Sequence, residues 1–311
     1  MNKPPPFIIL LIASAVAASA TPTTVNTSDL LLGFKVTDGV DPGSTANLEV
    51  DLGNVGLYFG QAPNTNFLVA NLATALDAIY STVGTSDWDT RTDLQWGIAG
   101  SNGGSATTIN GRSIAADTLW GTALETTPGV QSIPWAASVN KSGQQTPANN
   151  IVTMYAGAQS SLNAKTTSFS GTTSVTNSTA VVNGTLPGSF TIQTGTTAAV
   201  FGYFTPNAND TFYGGTNFTS IVGSFEVLDL YELQPNASKT STYIGSFGLD
   251  SAGLLEFSNT PGFFAASIPE PGVFGAAMGM LVLGPALWRR RLKSSIRGKA
   301  GRESSSSSLL S

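Results

Sequence analysis

The apolar positions of residues 29–257 come in short runs separated by Gly, Asn, Asp and Ser, a pattern typical of β-strands joined by turns. Alternation of apolar and polar positions is clearest over residues 242–249. The dipeptide Gly53-Asn54 predicts a tight hairpin between two of these runs. The pattern as a whole predicts strands at residues 29–37, 48–52, 55–59, 189–194, 198–204, 221–233, 242–249 and 254–257.

Two segments instead predict helices. Residues 66–81 are rich in Ala and carry apolar side chains at helical spacing. Residues 150–162 place one apolar stripe on a helix, formed by Ile151, Met154, Tyr155, Ala158 and Leu162. Residues 165–198, rich in Thr, Ser, Gly and Asn, favour either a flat exposed β-region or a flexible surface segment. We therefore expect residues 21–264 to form a mainly β body, a β-sandwich or related antiparallel all-β fold with two helical insertions.

The N-terminal residues have the pattern of a secretory signal peptide. Lys3 precedes an apolar run over residues 7–18, and the small residues Ala18 and Ala20 flank Ser19 at its end. Residues 1–20 are thus predicted to pass the secretion translocon and to be cleaved by signal peptidase after Ala20.

The C-terminal region predicts a transmembrane helix. Residues 272–288 contain no charge, and 17 residues are close to the minimum that spans a bilayer. Arg289, Arg290 and Arg291 follow, and a basic stop at 289–293 is expected to stay cytoplasmic. The helix would anchor the protein in the lipid of the cytoplasmic membrane, and residues 294–311 would form a disordered tail. A buried core helix is the alternative, although three adjacent arginines are unusual at the end of one.

Pro269, Glu270 and Pro271 stand just before this apolar segment. The two prolines fix φ and disfavour helix in the residues before them, so the tripeptide is predicted to be stiff and extended. Together with the apolar segment and the arginine cluster, it resembles the PEP-CTERM sorting signal of Gram-negative bacteria, here over residues 265–293. The resemblance implies that exosortase, an intramembrane cysteine transpeptidase, recognises the tripeptide. It also implies that the protein reaches the cell envelope or the exopolysaccharide matrix after processing.

Composition excludes several kinds of chemistry. The 311 residues include no His and no Cys, which removes imidazole bases, imidazole and thiolate metal ligands, cysteine nucleophiles and disulfides. Residues 21–268 hold six basic and 17 acidic side chains, a net charge of −11. Such a body repels phosphates, so we expect no nucleic-acid partner.

Asp87, Asp89 and Asp93 form the one candidate metal loop in the sequence. Three carboxylates in seven residues would supply some of the oxygens that calcium prefers, although the full calcium-loop pattern is missing. The alternative is that they cap or solvate a turn beside Arg91. No other cofactor is expected.

Four tryptophans offer a second candidate site. Trp88, Trp96, Trp120 and Trp135 would stack on sugar rings of a polysaccharide if at least two were exposed on one face. The alternative is that they fill the core.

Three carboxylates of one predicted strand are the last candidates. Glu226 and Glu232 would share one face and Asp229 the other, and paired carboxylates at the right separation serve glycosidases. The function expected from the sequence is nevertheless a non-catalytic, exported envelope or matrix protein. The alternatives are a carbohydrate-binding module or adhesin, and a carboxylate-based hydrolase.

Overall fold

The computed structural model describes residues 24–37, 41–132, 137, 140–164, 179–194, 212–221 and 224–267. The strands in these ranges are β1 (Asp29–Val36), β2 (Ala46–Asn54), β3 (Asn66–Asn71), β4 (Leu94–Ser101), β5 (Thr107–Ile109), β6 (Arg112–Ile114), β7 (Leu119–Leu124), β8 (Thr179–Asn183), β9 (Gly214–Gly215), β10 (Phe225–Leu233), β11 (Thr242–Asp250) and β12 (Leu254–Ser258). The α-helices are α1 (Ala73–Tyr80), α2 (Gln145–Ala164) and α3 (Phe190–Gln193).

One antiparallel sheet dominates the fold. Its order is β3-β12-β11-β10-β7-β4-β1-β2-β8, with β9 paired to β4, and it curls into a half-barrel. The strands β5 and β6 form a separate hairpin. The prediction of a mainly β, antiparallel body is confirmed. The described residues form a single curled sheet rather than the two facing sheets of a sandwich, and helices and loops cover its faces.

Both faces of the sheet are buried at its centre. All eight residues of β1 are buried, and its apolar side chains are divided between two hydrophobic clusters. Leu30, Leu32 and Phe34 belong to the cluster that includes α1, whereas Leu31 belongs to the cluster that includes α2. We call these sides the α1 face and the α2 face. Two-sided burial explains why this strand reads as a continuous apolar run instead of an alternating one.

Two strand glycines let aromatic rings lie directly on the sheet. A Cβ atom at Gly33 would stand 2.1 Å from the Phe190 ring on the α2 face. A Cβ atom at Gly245 would stand 2.3 Å from the Phe257 ring on the α1 face. No side chain fits at such distances, so these positions need glycine for close approach.

Two predicted strands are wrong. Residues 55–59 begin with a 3₁₀ helix, Val55–Leu57, because the Asn54 side chain accepts a 2.9 Å hydrogen bond from Gly56 N and caps it. The hairpin predicted at Gly53-Asn54 is therefore wrong too. Residues 189–194 hold α3, where Ser189 Oγ accepts from Ile192 N at 3.2 Å. Local capping outweighs the β-propensity of both segments.

The two predicted helices are confirmed in part. The first is confirmed only from Ala73, because residues 66–71 form β3 and pair with β12. Phe67 of β3 stacks on Tyr58 at 6.1 Å, so tertiary packing overrides the helical spacing. The second, α2, begins five residues before the predicted start and includes Pro147 in its first turn, where a missing N–H costs little.

The remaining segments predicted from the sequence lie outside the described residues. They are residues 1–20, 198–204 and 268–311, together with 165–178 and 195–198 of the polar region predicted over residues 165–198. The described part of that region holds β8 and α3. None of the helices within the described ranges has the length and apolarity needed to cross a membrane. Residues 272–288 are not among those ranges, so the transmembrane helix stays a prediction.

The contact between Gly33 and Phe190 predicts a specific stability loss. Gly33→Ala should lower the free energy of unfolding by about 2 kcal/mol, because the methyl group must displace the Phe190 ring. Denaturant unfolding measures this. The matched control is Gly215→Ala in β9, where an added Cβ meets nothing within 4 Å. Equal losses in the two variants, or no relief when Phe190→Leu is added to Gly33→Ala, would contradict the packing argument.

Candidate functional site

The tryptophans do not form a sugar-binding platform. Trp88, Trp96 and Trp120 are at most 3% exposed and belong to the hydrophobic cluster of the α1 face. Trp135 lies outside the described residues. With three of the four rings buried, the expectation of an exposed stacking surface is wrong for this set. The bulky indoles fill the interior of the curled sheet instead.

The aspartates of the candidate calcium loop have other partners. Asp93 is held by the Arg91 guanidinium through two hydrogen bonds. Asp87 accepts a 2.8 Å hydrogen bond from Thr82 N, which is the main cause of the lowered pKa of its carboxyl group. The backbone carbonyl of Asp89 accepts from Phe218 N at 2.8 Å. Within the described ranges, no group of three or more acidic side chains is arranged to hold a metal ion.

Arg91 is the centre of this region. Its Nη1 atom donates to the carbonyls of Pro42 at 2.6 Å and Tyr80 at 2.9 Å, while the other nitrogens of the guanidinium hold Asp93. The side chain is 9% exposed. The arginine therefore joins the loop before β2, the end of α1 and the start of β4.

The carboxylates of β10 point to opposite faces, as the alternation predicts. Glu232 on the α1 face accepts hydrogen bonds from Arg112 of β6 and from Trp120 Nε1, which holds the β5–β6 hairpin against the sheet. Glu226 accepts a 3.0 Å hydrogen bond from Gly215 N, and burial raises its pKa to about 7. The two groups bind different partners along the strand, so they do not form a catalytic pair.

Asp229, on the α2 face, is the centre of a different cluster. It is fully buried, and its oxygens accept from Ser132 N at 2.6 Å, Ser132 Oγ at 2.9 Å and Ser246 Oγ at 2.6 Å. Tyr243 and Tyr231 extend the network through hydrogen bonds to Ser246 Oγ and to the Ser132 carbonyl, both at 2.8 Å. We call these residues, together with Glu125, the Asp229 cluster.

Glu125 is the partner carboxyl group that the sequence did not indicate. It follows β7 directly, and its Oε2 atom accepts from Gly129 N at 2.8 Å. Burial, followed by the charge of Asp229, raises the pKa of Glu125 to about 8. In its protonated form it donates a hydrogen bond to Asp229. The raised pKa therefore favours the protonated form of Glu125 near neutral pH.

The chemistry open to the Asp229 cluster is proton donation and acceptance. Two converging carboxyl groups with adjacent hydroxyls are the arrangement that a carboxylate hydrolase would need. A hydrolase also needs a cavity for its substrate, and neither Glu125 nor Asp229 lines the clefts beside the β5–β6 hairpin and beside Arg91. What the geometry does show is a clamp: Glu125 and Asp229 together hold the loop of residues 126–132 against the sheet.

The α2 face carries further buried charges. Glu49 is fully buried; it accepts from Phe190 N at 2.7 Å, and burial raises its pKa. Asp51 lies two residues along β2, and burial raises its pKa to about 7. Lys35 Nζ sits 3.7 Å from the centre of the Tyr213 ring, and burial lowers its pKa to about 8. Burial thus disfavours the charged form of all three side chains.

No protein-family model, no curated protein and no solved structure matches the chain. The functional argument therefore depends on the residues and on the geometry described above.

The raised pKa of Glu125 predicts that the fold loses stability between pH 6 and pH 8. A carboxyl group whose pKa rises on folding stabilises the fold below its unfolded pKa, and that contribution is lost as the pH rises through the folded value. Asp51 and Glu226 act in the same direction. Glu125→Gln should reduce the loss by about 1–2 kcal/mol, because the amide cannot ionise.

Urea unfolding at several pH values tests this effect. Asp87→Asn is the control, since the lowered pKa of Asp87 lies far below this window. The interpretation fails if the wild type is as stable at pH 8 as at pH 6, or if the Gln variant keeps the full pH dependence.

Arg91→Lys should lower the free energy of unfolding by about 2–4 kcal/mol, because lysine cannot reproduce the planar fork that holds Asp93 while also donating to the carbonyls of Pro42 and Tyr80. The exposed Lys141→Ala serves as control and should change stability by about 0.5 kcal/mol or less. Thermal or denaturant unfolding compares them. A change as small in Arg91→Lys as in the control would contradict the role of Arg91 as an anchor.

Proposed function

We propose that the chain is an exported, non-catalytic protein of the cell envelope or extracellular matrix that is sorted through its C-terminal segment. The observation that carries this proposal is the order of the sequence features that follow the first compact unit. The first compact unit of the chain extends to Phe264, five residues before Pro269. The tripeptide, the uncharged segment 272–288 and the arginine triplet then follow in the order of a PEP-CTERM signal.

Residues 1–20 would direct the chain to the secretion translocon and be removed by signal peptidase. Residues 272–288 would hold it in the lipid of the cytoplasmic membrane, with Arg289, Arg290 and Arg291 as the cytoplasmic stop. Exosortase would then act at Pro269, Glu270 and Pro271.

A carboxylate-based hydrolase is the second candidate, and the pairing of Glu125 with Asp229 is the observation in its favour. The same contacts are accounted for by the clamp on residues 126–132, which needs no substrate. A carbohydrate-binding role has lost the support of Trp88, Trp96 and Trp120, and would need a different surface.

Deletion of residues 269–271 tests the sorting proposal in a host that contains exosortase. The variant should keep its C-terminal segment, remain larger than the wild-type product and stay with the cytoplasmic membrane. The matched control deletes three serines, residues 304–306, and should be processed like the wild type. Unchanged size and fractionation after deletion of the tripeptide would refute exosortase sorting.

A further inference from the structure

A cleft of about 470 Å³ lies beside the β5–β6 hairpin. Eight of its ten lining residues carry a hydroxyl or a carboxamide group, and none carries a charge. This volume falls in the range of small-ligand sites. The lining is unusual for a protein of so acidic a composition, because its polar groups are all neutral.

The walls of the cleft are fixed by the core. The hairpin turns at Asn110 and Gly111, whose φ values of 50° and 77° are those of a two-residue β-hairpin loop. Asn110 Nδ2 donates to Gly56 O at 2.7 Å, and Ile109 and Ile114 are buried in the cluster of the α1 face. The hairpin wall is therefore preformed, which lowers the entropy cost of binding.

The opposite wall is held by a strained residue. Ser28 has a left-handed backbone with φ of 74°, a conformation that costs about 1–2 kcal/mol for a residue other than glycine. Two 2.8 Å hydrogen bonds keep it there, from Ser28 N to Ser101 O and from Val55 N to Ser28 O. Ser28 and Asn110 are two of the five non-glycine residues with positive φ in the described chain, and both line this cleft.

The hydroxyl groups of the lining are available to a ligand. The lining has five hydroxyl groups, and none of them makes a hydrogen bond to another described residue; they belong to Thr27, Ser28, Ser105, Thr107 and Thr108. The Asn102 amide, in contrast, is already used by the protein: it donates to the carbonyls of Ser105 and Ala115 and accepts from Thr118 N. The cleft thus combines an Asn102 side chain that is fully hydrogen-bonded within the protein with hydroxyl groups that can bind a ligand.

We propose that this cleft binds a neutral saccharide. A sugar hydroxyl both donates and accepts, as the serine and threonine hydroxyls do, so the two can pair in either direction. Ala106 and Ile109 give the lining an apolar part for the C–H groups of a sugar ring. The net charge of −11 over residues 21–268 disfavours anionic ligands. This proposal does not depend on the sorting of the chain, and either can fail alone.

Isothermal titration calorimetry on the full-length protein tests the proposal with maltotriose, cellotriose, mannotriose and glucuronic acid as probes. At least one neutral trisaccharide should bind, with a Kd of about 0.1–1 mM because no aromatic ring lines the cleft. Glucuronic acid should bind at least about tenfold more weakly. Failure of all three trisaccharides to bind, or tighter binding of the uronic acid, would overturn the proposal.

Two variants locate the site. Thr107→Val with Thr108→Val removes two hydroxyls at constant shape in a strand, and should weaken binding at least about tenfold. Ala106→Arg leaves the hydroxyls in place but fills the cleft from an exposed position, and should also weaken binding. Ser113→Ala, on β6 of the same hairpin but outside the cleft, is the control and should bind like the wild type. Unchanged affinity in both cleft variants, or an equal loss in the control, would overturn the assignment.

Discussion

Burial of the central sheet on both faces is the constraint on which the rest of the structure depends. The polar residues of such a sheet cannot all point to water. The layers that cover it must also lie close to its backbone, and glycines beneath aromatic rings allow this, as Gly33 does beneath Phe190 and Gly245 beneath Phe257. The same close packing makes the fold sensitive to single methyl groups at these positions.

Because polar side chains of the sheet cannot point to water, several carboxyl groups are buried and have raised pKa values. Glu49, Asp51 and Asp229 point from the strands into the layer between the sheet and its cover, so each needs a hydrogen-bond donor or a proton. Backbone N–H groups supply some donors, as Phe190 N does for Glu49, and Ser132 and Ser246 supply those of Asp229. These carboxyl groups are therefore accounted for as parts of the packing, with the clamp on residues 126–132 as the main consequence.

The sequence predicts β1, β2, β10, β11 and most of the long helix α2, because their apolar patterns are clear. It does not predict β4 and β7, although both are buried at the centre of the sheet, since glycines and polar residues interrupt their apolar runs. It fails at residues 55–59 and 189–194, where one capping side chain, Asn54 or Ser189, decides the local structure. It could not indicate the pairing of Glu125 with Asp229, since the two meet only through the register of β7 against β10. The polar cleft was missed for the same reason, because its hydroxyls come from separate segments of the chain.

The central functional proposal is that the β body is exported and released from its C-terminal segment. The intact mass of the protein recovered from the envelope or medium of an exosortase-containing host tests this most directly. The account predicts a chain that begins at Thr21 and lacks the arginines at 289–291. A full-length mass of 32.0 kDa, found in the cytoplasm alone, would contradict it.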